Sequence, residues 1–70
     1  MMYEVPLRDK LTLTIPEAEA LSGIPAKVIR AQVKARMLPA RYASSSTPRI
    51  RRQDLDEWLL ALPTAVSQIA

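Results

Sequence analysis

The sequence predicts a mainly α domain with a small β-hairpin, and three observations carry that reading. Apolar residues recur at helical spacing in three separate windows, most strongly at Leu55, Trp58, Leu59 and Leu62. The chain's single glycine, Gly23, falls between the first two windows, where it can end a helix in the left-handed conformation. The stretch RYASSSTPRIRR, residues 41–52, sets one apolar residue, Ile50, between Arg49 and Arg51, as a short strand would.

Seventy residues make one domain. The core is expected over about 11–62, with an N-terminal arm at 1–10 and a tail at 63–70. A chain this short buries only about 60% of the surface its unfolded form exposes, so the core must be small. There is no cysteine and no histidine. Disulfides, the usual zinc ligand sets and the common nucleophile–base arrangements are therefore excluded, and neither metal nor cofactor is expected. No apolar run approaches the ~20 residues that cross a bilayer, and no signal-peptide core opens the chain. The expectation is a soluble intracellular module without a small-molecule ligand.

Along the chain, KLTLTI alternates apolar and polar residues, with Leu11, Leu13 and Ile15 on one side, and predicts a short half-buried strand. Thr14 and Glu17 have the spacing of a capping box, and Pro16 suits a first helical turn. The first helix is expected at about 15–22, with Ile15, Ala18 and Leu21 facing inward. A second begins at Pro25 and runs to about 36, with Ile29 and Val33 inside, helped by Val28. On its outer side Lys27, Arg30, Ala31 and Lys34 stand at i, i+3, i+4 and i+7, an exposed and basic stripe. Two helices joined by a tight turn with glycine have the organisation of a helix-turn-helix. The third helix is expected at about 52–62, with Trp58 as a core anchor and acids near its N-terminus. Leu13, Ile15, Ala18, Leu21, Ile24, Ile29, Val33, Leu38, Ile50, Leu55, Trp58, Leu59 and Leu62 form the expected core.

The serine-rich stretch reads on composition as a flexible linker. A linker joins independent units, however, and the third helix cannot bury its apolar stripe alone. The stretch is therefore internal to one core, with 40–43 pairing with 49–51 across a turn at Ser44–Pro48. It forms a basic hairpin, a wing beside the helix-turn-helix.

Charge is strongly segregated. The net charge of +3 divides into −2 over residues 1–24, +8 over 25–52 and −3 over 53–70. A central block that holds Lys27, Arg30, Lys34, Arg36, Arg41, Arg49, Arg51 and Arg52 without one acid is the electrostatic footprint of a polyanion partner.

LTIPEAEALSGIPAKVIRAQVKARMLPARY followed by RIRRQDLDEWLLAL resembles the small excisionase-type winged helix-turn-helix domains, relatives of the MerR-like DNA-binding domain. The resemblance covers about residues 11–62. It rests on four features together: the strand-to-helix opening with an acid–alanine pair, the Gly-apolar turn, the Leu-Pro after the second helix, and the RIRRQDLDEWL ending. It implies a second helix in the major groove, with Ala26, Lys27, Arg30, Ala31 and Lys34 on the groove face. Arg41, Ser45, Ser46 and Arg49 become the wing contacts, and Arg36, Arg51 and Arg52 further phosphate contacts. Three positions depart from the family pattern. Pro25 stands where Ser or Thr usually caps the second helix, and the wing tip is rich in Ser rather than Gly. Arg36 replaces a frequent Gly, so it either adopts a left-handed conformation or extends the helix.

Within that frame Arg30 suits guanine, whose edge its planar fork can meet with two hydrogen bonds, while Lys27 and Lys34 suit phosphates. Ala26 and Ala31 permit close approach, and a methyl can pack on thymine. Arg41 or Arg49 suits a narrowed minor groove, and Ser44–Thr47 offer hydroxyls to phosphates. Tyr42 either stacks on the sugar–phosphate edge or packs under the hairpin. The function implied is that of a recombination directionality factor. Such a protein bends attachment-site DNA by cooperative binding and directs an integrase, commonly a tyrosine recombinase, toward prophage excision. Its setting is the nucleoid of a bacterial cytoplasm. Its partners are double-stranded DNA, the phage integrase and neighbouring copies of itself, with acidic ends meeting basic middles. The short tail is expected to supply neither a dimerising coiled coil nor an effector domain. The alternatives are a small transcriptional regulator and, from another class, a protein-interaction adaptor. An enzyme is not expected.

Overall fold

The computed structural model describes residues 5–44 and 46–66. A 3-10 turn at Leu7–Asp9 leads into β1 (Thr12–Leu13), then α1 (Ile15–Ser22) and α2 (Ala26–Lys34). The hairpin strands β2 (Arg41–Ser44) and β3 (Thr47–Arg51) follow, and β3 runs directly into α3 (Arg52–Leu60). Three helices thus surround a small antiparallel sheet of order β1-β3-β2.

Local chemistry explains the boundaries. The Thr14 hydroxyl accepts the Glu17 N–H at 3.2 Å while Glu17 accepts the Thr14 N–H at 2.9 Å, the reciprocal capping box that starts α1. Gly23, at φ 77°, ends it by donating its N–H to Glu19. Pro25, at φ −55°, is preset for the next helix and leaves three residues between α1 and α2. Beyond Lys34 the closing turn of α2 reaches Arg36, whose φ is 63°.

The core lies where the helices meet the sheet. Leu13 and Ile50 are paired across β1 and β3 and have no exposed surface. Ile15, Ala18, Ile29, Leu38, Leu55 and Trp58 complete it, each full burial of a large aliphatic side chain contributing about 1.5–3 kcal/mol. The Trp58 indole N–H donates to Gln32 Oε1 at 3.2 Å and so ties α3 to α2. Leu21, Ile24, Val33, Leu59 and Leu62 pack around this centre as the spacing predicts, joined by Leu7 and Ala26.

Several expectations change. Leu11 is 88% exposed, because the alternation ends when Thr14 becomes a cap and Ile15 enters the core from a helix. Val28 is 44% exposed and lies off the core face of α2. The helices are shorter than expected: α2 closes at Lys34 and α3 at Leu60. The strands extend further into the turn than expected, with Ser44 opposite Thr47 and a register shift after Tyr42. Part of the arm is anchored, since Leu7 packs on the core and the Lys10 ammonium is ion-paired with Glu17. No helix among the described residues is long and apolar enough to cross a membrane.

Candidate nucleic-acid interface

The spacing on α2 produces the expected stripe. Lys27, Arg30, Ala31 and Lys34 are all exposed, and Ile29 on the opposing face is fully buried. None of the three cations makes an ion pair among the described residues. Lys27 and Lys34 are separated by two turns, or roughly 10 Å along the axis.

Ala26 departs from the groove-face assignment. It is partly buried against the core, and its N–H is taken by Glu19 Oε1 at 2.8 Å. That contact supplies the cap that Pro25 cannot, from the preceding helix rather than from the cap position itself.

The C-terminal end of α2 carries the stripe onward. Arg36 N–H donates to Val33 O at 3.0 Å and Met37 N–H to Gln32 O at 2.9 Å, the paired closure that normally has glycine at its left-handed position. Of the two conformations open to Arg36 the chain adopts the left-handed one, and its side chain is exposed. Arg36 lines a cleft of about 620 Å³ between α2 and the hairpin, together with Arg30, Lys34, Tyr42 and Pro48. An adjoining hollow of about 300 Å³ runs from Arg30 to Ser46 and Thr47 at the hairpin turn. Arg30 borders both, so it stands where the helix stripe meets the hairpin. Tyr42 lies in the cleft wall and is 58% exposed, not packed beneath the hairpin.

The wing arginines lie elsewhere. Residues of a strand alternate between faces, and Tyr42, Pro48 and Ile50 occupy the inner one. Arg41 and Arg49, which are cross-strand partners, therefore occupy the outer face, away from the cleft. Arg49 is half-buried and donates from Nε and Nη2 to Thr12 Oγ1 at 3.2 and 3.0 Å, whereas Arg41 is exposed. Ser46 is exposed in the turn, and Ser45 lies outside the described residues.

Of the three candidates for further phosphate contact, Arg36 alone makes no ion pair among the described residues. Arg51 meets Asp54 with two hydrogen bonds, Nε to Oδ2 at 2.9 Å and Nη2 to Oδ1 at 3.0 Å. The Arg51 hydrogen bond holds the buried Asp54 carboxyl below its usual range against the opposing effect of desolvation. The same contact raises Arg51. Arg52 lies 3.8 Å from Asp56, one turn along α3. Two of the three acids at the start of α3 are therefore ion-paired within the chain, and Glu57 makes no ion pair among the described residues.

The candidate surface is thus basic, convex along α2 and concave beside the hairpin. It can bind an extended polyanion and offer one guanidinium at its centre. No family model, no curated protein and no solved structure matches the chain.

Proposed function

We propose that the chain is a winged helix-turn-helix DNA-binding protein, with α2 entering the major groove and the β2–β3 hairpin acting as its wing. The observation that carries this reading is the position of Arg30, exposed between Lys27 and Lys34 and bordering both hollows that lead to the hairpin. Lys27, Lys34, Arg36 and Ser46 would contact phosphates, and Arg30 would read a base edge. The small Ala31 leaves room for the backbone of α2 to approach. Arg41, exposed on the outer face of the hairpin, would be the wing cation that meets the sugar–phosphate chain there.

Within this reading the resemblance to excisionases supplies the finer role. The protein would bend attachment-site DNA, several copies side by side, so that an integrase of the tyrosine recombinase class proceeds to excision in the bacterial cytoplasm. A single groove-reading helix offers limited contact area, which favours adjacent copies over isolated binding.

The test is a mobility titration on attachment-site DNA from the genome that encodes the chain, against a random duplex of equal length, at two salt concentrations. A ladder of discrete complexes on the attachment site alone supports the excisionase. Equal, salt-sensitive smearing on both duplexes moves the transcriptional regulator ahead, and binding to neither overturns the DNA-binding reading.

A further inference from the structure

A second concavity among the described residues lies apart from the cleft at the hairpin. It is a groove of about 780 Å³ between α2 and α3, floored by Ile24, Val28, Met37, Trp58 and Leu62. Val28 and Met37 are 44% and 66% exposed there, an uneconomical use of apolar residues for so small a core. Position 28 lies about 200° around the helix axis from position 30 but about 100° from position 27, so the groove faces away from Arg30 and adjoins the Lys27 edge of the stripe.

The charges at this groove are acidic. Asp54 and Glu57 line it, and no lysine or arginine does, although the chain carries a net +3. Asp54 is held by Arg51, while Glu57 has no ion pair among the described residues. An apolar floor between two helices with a carboxylate on its edge fits an amphipathic helix whose apolar face is flanked by lysine or arginine. A second copy of this chain does not offer such a helix. Its one basic helix, α2, already commits Ile29 and Val33 to its own core.

We propose that this groove docks a basic amphipathic helix of another protein, on a face of α2 beside the basic stripe. The proposal stands apart from the DNA reading, since its test contains no DNA.

Trp58 is the only tryptophan and lines the groove, so its fluorescence reports occupancy. The full chain is titrated with a synthetic leucine–lysine amphipathic peptide of about 18 residues, or five turns, and with its leucine–glutamate counterpart. The expected result is a saturable one-to-one change with the lysine peptide only, although the chain's overall charge repels it. Glu57→Lys and, separately, Val28→Asp should each weaken that binding roughly tenfold while thermal melts confirm folding. No saturable change, an equal response to both peptides, or indifference to both variants would overturn the proposal. Self-association of the chain alone, abolished by the same two variants in sedimentation, would overturn it in favour of a second copy.

Discussion

The carboxylate of Glu19, in the last turn of α1, accepts the backbone N–H of Ala26, the first residue of α2, at 2.8 Å. Two helices that would otherwise meet only through apolar packing are joined at the end where α2 exposes unsatisfied donors. The contact also fixes the start of the basic stripe, since Lys27 is the next residue along.

Glu19→Ala should therefore lower stability by about 0.5–1 kcal/mol, the usual cost of removing a helix cap, with a smaller loss for Glu19→Gln, which keeps the accepting oxygen. Urea unfolding of both variants measures this. Equal midpoints for the Ala and Gln variants would mean that the carboxylate acts through charge, not as an acceptor.

Acid should weaken the fold through two carboxylates. The hydrogen bond from Lys10, then the Thr14 N–H, hold Glu17 at about 2 against a usual 4.5, and Arg51 holds Asp54 low as well. A group with a depressed folded-state pKa takes up its proton first in the unfolded chain. Its contribution is complete above the unfolded value and is lost as pH falls from about 4.5 toward 2. Thermal midpoints measured across this interval should fall steeply for the native chain and less steeply for Glu17→Gln. Parallel profiles for the two would show that the Lys10–Glu17 pair contributes nothing.

Arg36 sits at φ 63°, a conformation that costs a side-chain-bearing residue about 1–2 kcal/mol. Glycine removes that cost but adds backbone entropy to the unfolded chain, so Arg36→Gly should gain less than about 1 kcal/mol. It also removes a cation from the cleft and should weaken DNA binding. Stability and affinity should thus move in opposite directions, as read by denaturant unfolding and mobility titration of one variant. A gain in both would exclude Arg36 from the interface.

What was legible in the sequence was chiefly local. The Thr14–Glu17 box, the Gly23 stop and the Lys27–Lys34 stripe each lie within a few residues, and each follows from helix geometry alone. The pairing of Leu13 with Ile50 was implicit only in that both alternated. Contacts across longer separations were not legible: nothing in the spacing tells that Glu19 caps Ala26 across a turn, or that Arg49 reaches Thr12 from the far strand. Arg51 and Asp54 are only three residues apart. Their pairing was hidden because β3 becomes α3 between them, and helical spacing rules do not extend across that junction.

This junction ties Arg51 and Arg52 to carboxylates of α3, whereas Lys27, Arg30 and Lys34 make no ion pair among the described residues, and under the proposed DNA-binding function that difference can be measured. A lysine or arginine that neutralises a phosphate releases a counterion, so its removal lowers the salt dependence of binding. Lys27→Ala should reduce the slope of log affinity against log salt by about 1, uniformly across sequences. Arg30→Ala should cost about 1–3 kcal/mol and relax preference at one base position. Arg51→Ala should leave the slope unchanged and instead lower the melting temperature, because the buried Asp54 loses its two guanidinium donors. Affinity titrations at three salt concentrations, paired with melts, separate these outcomes. If Arg51→Ala lowers the slope as much as Lys27→Ala does, Arg51 leaves Asp54 on DNA, and the ion pair at the start of α3 is a latch that binding opens.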